Sequence, residues 1–452
     1  MILPQDFELR MKNMLNNEYS DFLRALTENP VYNGIRINTK KNGIDELIKN
    51  EFGTLENIPW CENGFYADKS KISGNHPYHT AGLFYFQEPS AMSTVSALPV
   101  NEDDYILDLC AAPGGKATQA GALLGEKGLL VANEIVKSRA NILADNIDRF
   151  GLKNCVVTNE TPQRLAEKYP NFFDKIIVDA PCSGEGMFRK EPQAIDEWSI
   201  QHTISCGERQ KHILDCTFKM LRGGGYLVYS TCTFAPEENE KICAYILNNY
   251  NAELIKPNNL NMLSQGKTEW SDSNYNMEDT RRIFPHKNKG EGHFIALFRN
   301  LDRENGEHQR AAVKSKKCDG EKLYREFENE FLNIKLDGEF CLFGENLYLK
   351  PKEIDIDKIK TIRAGLPLGI CRKGRFEPSW ALCTSLKKDD IKNTLDFNVN
   401  SEKLKLYMLG QTIECDKKGW CAVTVDGFPL SWGKASNGIL KNHFPKYLRL
   451  KK

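Results

Sequence analysis

Two short segments of this chain set a cysteine among residues that can move protons: Asp179-Ala-Pro-Cys182-Ser-Gly-Glu-Gly186 and Ser230-Thr-Cys232-Thr233. A third is Asp108-Leu-Cys110-Ala111-Ala112-Pro113-Gly114-Gly115-Lys116. Its small residues let a backbone come close to a ligand, and the helix expected to start there offers free N–H groups to a carboxylate. It matches neither the dinucleotide fingerprint G-x-G-x-x-G nor the phosphate loop G-x-x-x-x-G-K-[ST]. Glu134, farther along, is placed to accept hydrogen bonds from ribose hydroxyls. Together these features suit a nucleoside that carries an amino acid rather than a pyrophosphate, and S-adenosylmethionine answers that description.

Two thiols, a carboxyl group and a methyl sulfonium belong together in one reaction. C5 of cytosine is a poor nucleophile, but a thiolate added at C6 turns the ring into an enamine-like species whose C5 attacks an electrophilic methyl group. The charge that develops calls for protonation or a hydrogen bond at N3, which is work for an acid such as Asp179. Afterwards the C5 proton must leave and the first thiol must be eliminated. A second cysteine can assist that release.

These segments need a scaffold that delivers them to one place. From Tyr105 to about Phe298, short apolar runs alternate with helical stretches, the signature of a parallel sheet covered on both faces. Strands are expected at Tyr105–Leu109, Gly128–Glu134, Cys155–Asn159, Lys175–Ala180, Gly225–Thr231 and His293–Phe298. Helices are expected at Lys137–Phe150, with Ala140, Leu143, Ala144 and Ile147 on one face, and at Glu208–Leu221, with Gly223–Gly225 as the stop before the next strand. All three motifs then fall at the carboxyl ends of strands, where open α/β sheets bind their ligands.

The order and spacing of DLCAAPGGK, DAPCSGEG and STCT resemble the Nol/Nop/Sun family of RNA cytosine-C5 methyltransferases. IRINT (from Ile35) and FQEPSAM (from Phe86) resemble its amino-terminal motifs, and RIFPHKNKGEGHFIALF (from Arg282) its last catalytic motif. RAGLPLGICRKGRFEPSWAL (from Arg363) and VDGFPLSWGKASNGILKNHFPKYLR (from Val425) are similar to the tail of the bacterial RsmF branch, whose final domain is PUA-like. The resemblance implies Cys232 as the nucleophile at C6 and Cys182 as the thiol that aids release. It places Cys110 through Lys116 and Glu134 around the methyl donor, Asp179 between donor and base, and Lys190 near the active site. Where many relatives carry an Asp-Gly-Arg-like turn after the third strand, this chain has Asn159-Glu160-Thr-Pro-Gln-Arg164, so either Asn159 or Glu160 is the adenine contact.

The expected fold is therefore α/β, a Rossmann-like methyltransferase sheet at residues 96–300 after an N-terminal RNA-binding extension at 1–95 of mixed helical and irregular structure. A charged linker at 301–320, an α+β RsmF-like domain at 321–397 and a PUA-like domain at 398–452, strand-rich from Leu404, complete the chain. The expected substrate is 16S ribosomal RNA or the small ribosomal subunit. A transfer RNA enzyme of the same chemistry is the nearest alternative, and a non-catalytic RNA-binding assembly factor or a DNA methyltransferase is more remote.

Composition bounds the partners. A length of 452 residues predicts two to four domains. No apolar run approaches the ~20 residues of a bilayer crossing, and residues 1–13 turn polar too soon for a secretory signal, so a cytoplasmic protein without membrane contact is expected. The 14 cysteines include no C-x-x-C pair, which argues against a zinc module or a disulfide framework; no metal is expected, and Cys155, Cys206, Cys216 and Cys243 read as core. Lys+Arg and Asp+Glu are both 61, so RNA must be held by local patches. Two acid-free clusters qualify: Lys434, Lys441, Lys446, Arg449, Lys451 and Lys452; and Arg363, Arg372, Lys373 and Arg375. Trp420 and Trp432 either stack on bases or fill the last domain's core, and a monomer is expected.

Overall fold

The computed structural model describes residues 1–303 and 318–451. Most of the expected linker, and Lys452 of the basic tail, lie outside the described residues.

The six strands that carry the motifs are β1 (Tyr105–Asp108), β2 (Leu129–Asn133), β3 (Cys155–Thr158), β4 (Phe173–Asp179), β5 (Leu221–Thr231) and β6 (His293–Asn300). They run in the order β3-β2-β1-β4-β5-β6; the first five are parallel and β6 is antiparallel to β5. Every residue of β1, β2 and β3 is buried, as expected of strands covered on both faces. The chain winds from β1 to β2 on one side and from β4 to β5 on the other, so the neighbours β1 and β4 open a crevice at their carboxyl ends.

The helix Lys137–Phe150 has its expected bounds and buries Ala140, Leu143, Ile147 and Phe150, with Ala144 only partly covered. The next long helix begins earlier than expected, at Ile200, because the Ser199 hydroxyl caps it by accepting from the His202 amide (3.0 Å), and it ends at Met220. Gly223–Gly225 are not a stop before the strand; they lie inside β5. A Cβ on Gly225 would meet the Asp174 carbonyl at 2.8 Å, so these glycines admit a neighbouring backbone where the β4–β5 register shifts.

The N-terminal region is more regular than expected. After helices Gln5–Leu15 and Tyr19–Glu28 it forms a four-stranded sheet, with Gly34–Ile37 between Cys61–Tyr66 and Phe84–Gln87. Strands this short give no alternation to read, and all four residues of Gly34–Ile37 are buried. Arg36 donates to Gln87 Oε1 (3.0 Å), the Gly115 carbonyl (3.1 Å) and Thr118 Oγ1 (2.7 Å), which locks this sheet onto the Gly115–Leu123 helix.

Beyond the linker, Gly320–Phe331 packs on a four-stranded sheet, and the strand Thr361–Ala364 leaves that unit to pair antiparallel with β3. Arg363 is therefore not part of a surface patch. It is 1% exposed and bonds Asp148 (2.7 Å) and the Cys155 and Leu152 carbonyls (2.6 Å each).

The last sheet has five strands and includes Thr394–Phe397, parallel to Gly419–Val425, which the division at 397/398 assigns to the preceding domain. Leu404 lies in a helix, Glu402–Met408, rather than opening a run of strands. Trp420 and Trp432 are buried, and the Trp432 indole donates to the Ser379 carbonyl (2.8 Å), so they fill core instead of facing RNA. Among the described residues no helix is long and apolar enough to cross a membrane.

Candidate active site

The carboxyl ends of β4 and β5 place Cys182 and Cys232 with their Sγ atoms 3.3 Å apart. The loops that carry them are stitched together: the Gly186 amide donates to the Cys232 carbonyl (2.8 Å), and the Ser183 and Thr233 hydroxyls meet at 3.0 Å. Gly186 has no room for a side chain, since a Cβ would sit 2.8 Å from that carbonyl. The hydrogen bond to Cys232, then burial, holds the Cys182 thiol well above its ordinary range.

Asp179 ends β4. Its Oδ2 accepts from Lys116 Nζ (2.8 Å) and its Oδ1 from Ser230 Oγ (2.8 Å). Burial pushes this carboxyl up, but the Lys116 ammonium and the two hydrogen bonds outweigh it and hold the group below the ordinary carboxylate range. Lys116 is shifted upward: burial lowers it, and the Asp179 charge more than compensates. His293 opens β6 with Nε2 3.7 Å from Asp179 Oδ1 and 2.9 Å from Thr94 Oγ1. Burial, then Lys116, brings it down to about 3, so it is a neutral imidazole at physiological pH.

The loop Cys110–Lys116 follows β1 and borders this cluster. It is held by the Ala111 amide on the Asn133 carbonyl (2.8 Å), Asn146 on the Pro113 carbonyl (2.8 Å) and Arg139 on the Ala112 carbonyl (3.0 Å). Gly114 takes a left-handed φ of 116° at the helix start. Burial pushes the Cys110 thiol far up, so it is no nucleophile. Glu134, 3% exposed after β2, accepts from the Val136 amide (2.9 Å) and lies 3.1 Å from Arg139.

The pair after β3 divides its work. The Asn159 side-chain amide donates to the Glu134 and Ile135 carbonyls (2.7 and 2.8 Å), whereas Glu160 Oε1 accepts from the Lys360 amide (2.9 Å). Lys190 stands apart from both thiols' hydrogen bonds: its ammonium donates to the Tyr32 carbonyl (3.1 Å) and lies 3.8 Å from Glu291.

Several residues of the cluster were not singled out by sequence reasoning. Asp108 is wholly buried, among the described residues no donor meets either of its carboxylate oxygens in good geometry, and burial pushes it up to about 8 against Lys116 and the Cys110 amide. Its place in the first motif was the available signal. Ser230 lies in the third motif, where its hydroxyl alone names no partner, and Thr94 and His293 come from segments far from the cysteines in sequence. Glu238 and Asn239, both 0% exposed, sit in the acidic run Pro236-Glu237-Glu238-Asn239-Glu240, whose composition reads as a solvated helix start. Burial pushes Glu238 up to about 7 against the hydrogen bonds it accepts from Ser183.

Comparison with known proteins identifies the family and the fold. Residues 95–299 match the model for 16S rRNA methyltransferase RsmB/F, and 3–89, 326–386 and 394–450 match the N-terminal domain, first C-terminal domain and PUA domain of RsmF. The chain is 31% identical to ribosomal RNA small subunit methyltransferase F of Vibrio vulnificus, over 99% of this chain and 97% of the relative. It is also 31% identical to the Aliivibrio fischeri protein of the same name, over 99% and 98%. A solved structure described as a methyltransferase homolog protein from Pyrococcus horikoshii superposes with TM-score 0.56 at 26% identity, covering 66% of this chain and all of that one. Another, described as NSun6 from the same organism with SFG, superposes at 0.58 with 24% identity over 66% and 99%, a likeness of fold. Sheet order, domain composition and full-length similarity converge: the chain belongs to the RsmF family of small-subunit ribosomal RNA methyltransferases.

Proposed function

We propose that this enzyme methylates C5 of cytosine in 16S ribosomal RNA in the cytoplasm, with S-adenosylmethionine as donor and a transient bond between Cys232 Sγ and C6 of the base. One observation carries the reading. Two thiols 3.3 Å apart stand at the carboxyl ends of β4 and β5, beside a partly buried ion pair between Asp179, which ends β4, and Lys116, from the segment after β1.

The residues present fit the donor. The Cys110–Lys116 loop is built of small residues that let a ligand approach the backbone, Glu134 offers a carboxylate for ribose hydroxyls, and among the described residues neither carboxylate oxygen of the buried Asp108 has a well-aligned donor. Both donor hydrogens of Asn159 are engaged, so its Oδ1 is the acceptor we assign to the adenine amino group, while Glu160 holds the Lys360 amide through Oε1. The bound donor supplies an electrophilic methyl group.

Cys232 gives up its proton to solvent and its sulfur bonds to C6 as the C5–C6 double bond opens, placing electron density on C5 and N3. Asp179, held ionised, orients a proton rather than carrying one, and the ammonium of Lys116 is the donor within reach. This differs from the acid role expected of Asp179 alone. After C5 has taken the methyl group, the Cys182 thiol gives its proton to the departing Cys232 sulfur 3.3 Å away as the Cys232–C6 bond breaks, and the Cys182 thiolate so formed takes the C5 proton, restoring both thiols and the C5–C6 double bond. The N-terminal region and the PUA domain grip the RNA backbone around the flipped base.

The test is a covalent-adduct assay with unmodified 16S ribosomal RNA. Cys232→Ala should neither methylate nor form an adduct, and Cys182→Ala should accumulate a protein–RNA adduct. Normal turnover by Cys182→Ala, with no adduct from any variant, would overturn the reading.

A further inference from the structure

The neighbours Glu238 and Asn239 divide between them the loops that carry the two thiols. The Glu238 carboxylate accepts from the Ser183 amide (2.9 Å), the Ser183 hydroxyl (2.5 Å) and Gln210 Nε2 (3.0 Å). Gln210 in turn donates to the Pro181 carbonyl (3.1 Å), so the residues on both sides of Cys182 are tied to this one carboxylate. Tyr229 closes the frame from β5 by donating to the Glu238 carbonyl (2.6 Å) and Gln210 Oε1 (2.9 Å).

Asn239 grips the other loop. Its Oδ1 accepts from the Thr231 hydroxyl (2.6 Å) and its Nδ2 donates to the Thr233 carbonyl (3.0 Å), one contact on each side of Cys232. Neither side chain bonds to a sulfur. The backbone step between the two residues therefore joins the anchors of the two thiol loops, which also meet directly through the Ser183–Thr233 hydroxyls, Ser230 on Asp179, the Phe234 amide on Glu185 (3.0 Å) and the Gly186 amide on the Cys232 carbonyl.

We infer that Glu238 is the positioning residue for Cys182 and Asn239 the positioning residue for Cys232, so that each side chain governs a different half of the catalytic cycle. This rests on the covalent reading above, in which Cys232 makes the adduct and Cys182 helps to dismantle it. A loop loosened at Ser183 leaves the attacking sulfur in place and misplaces the releasing one; a loop loosened at Thr231 and Thr233 does the reverse. Alignment within about an ångström decides rates at this scale, and an angular clamp made by a charged hydrogen-bond acceptor accounts for roughly tenfold or more.

The experiment uses the full-length enzyme with unmodified 16S ribosomal RNA and follows formation and decay of the adduct separately on denaturing gels. Glu238→Ala should form adduct at close to the wild-type rate and release it roughly tenfold more slowly, and Glu238→Gln, which still accepts from the Ser183 amide, should restore most of the release rate. Asn239→Ala should slow formation by a similar factor, with release little changed. The double variant Cys182→Ala/Glu238→Ala should release no more slowly than Cys182→Ala alone, because both act on one step. Ser183→Ala removes a single hydroxyl and should slow release modestly; it carries the test if Glu238→Ala fails to fold. Slower formation in Glu238→Ala or Ser183→Ala, or additive effects in the double variant, would sink the inference while leaving the covalent reading intact. Absence of any accumulated adduct in Cys182→Ala would sink the covalent reading itself, and the inference with it.

Discussion

Replacing Lys116 by Met keeps the length of the side chain and removes the charge that faces Asp179 at 2.8 Å. Breaking a buried ion pair from one side costs about 3–5 kcal/mol, because the surviving charge is left uncompensated. Here the Asp179 side chain retains 31% exposure, so solvent screening reduces the expected loss to about 2 kcal/mol at pH 8. The loss should depend on pH with a definite sign. In the wild type, Asp179 lies below its ordinary value of 3.8, so its contribution is present above that value and lost only as pH falls through the lower folded one. Without Lys116 burial dominates, the carboxyl moves above 3.8, and its ionisation becomes unfavourable as pH rises through the raised value. Urea unfolding of both proteins at pH 5 and pH 8 measures this directly, and the deficit of Lys116→Met should be larger at pH 8. Equal deficits at the two pH values, or none at either, would refute the assignment of Lys116 as the group that keeps Asp179 ionised.

Gly186→Ala should cost about 1–3 kcal/mol and most of the methylation rate, because its Cβ would press on the Cys232 carbonyl from 2.8 Å; thermal unfolding and adduct yield check it. Arg363→Ala should lower stability by about 3 kcal/mol yet leave the salt dependence of RNA binding unchanged, since its partners are Asp148 and two backbone carbonyls; a shallower salt slope with unaltered stability would return Arg363 to the RNA surface. Glu238 is raised to about 7 from 4.5, so its favourable contribution is complete below 4.5 and lost as pH rises through 7. Glu238→Gln should therefore gain stability relative to wild type by a few kcal/mol between pH 5 and pH 8, read as a shift in urea midpoint.

The catalytic sheet was legible because its strands are uniformly apolar and its helices periodic, and because glycine-rich turns mark where the chain reverses. Tyr105–Asp108, Leu129–Asn133 and the helix Lys137–Phe150 all lie where those patterns put them. The N-terminal sheet was not, since four-residue strands such as Gly34–Ile37 show no alternation and take their edges from pairing at long range. The two thiols could be brought together on paper because both follow strands that must be neighbours. What surrounds them could not. Glu238 and Asn239 look like a polar helix start until the fold removes them from water, Arg363 looks like a phosphate contact until Asp148 meets it, and His293 comes within reach of Asp179 only through the antiparallel pairing of β5 and β6. In each case tertiary packing reverses what the side chain's own polarity suggests.

The strand Thr361–Ala364 has a temporal consequence. Until that stretch has left the ribosome, β3 is an open edge with unpaired amides and carbonyls, and Glu160 has not yet met the Lys360 amide. A nascent chain that has finished every catalytic motif therefore still exposes a sticky margin along β3, and early termination in this interval should yield a protein prone to self-association rather than a smaller enzyme.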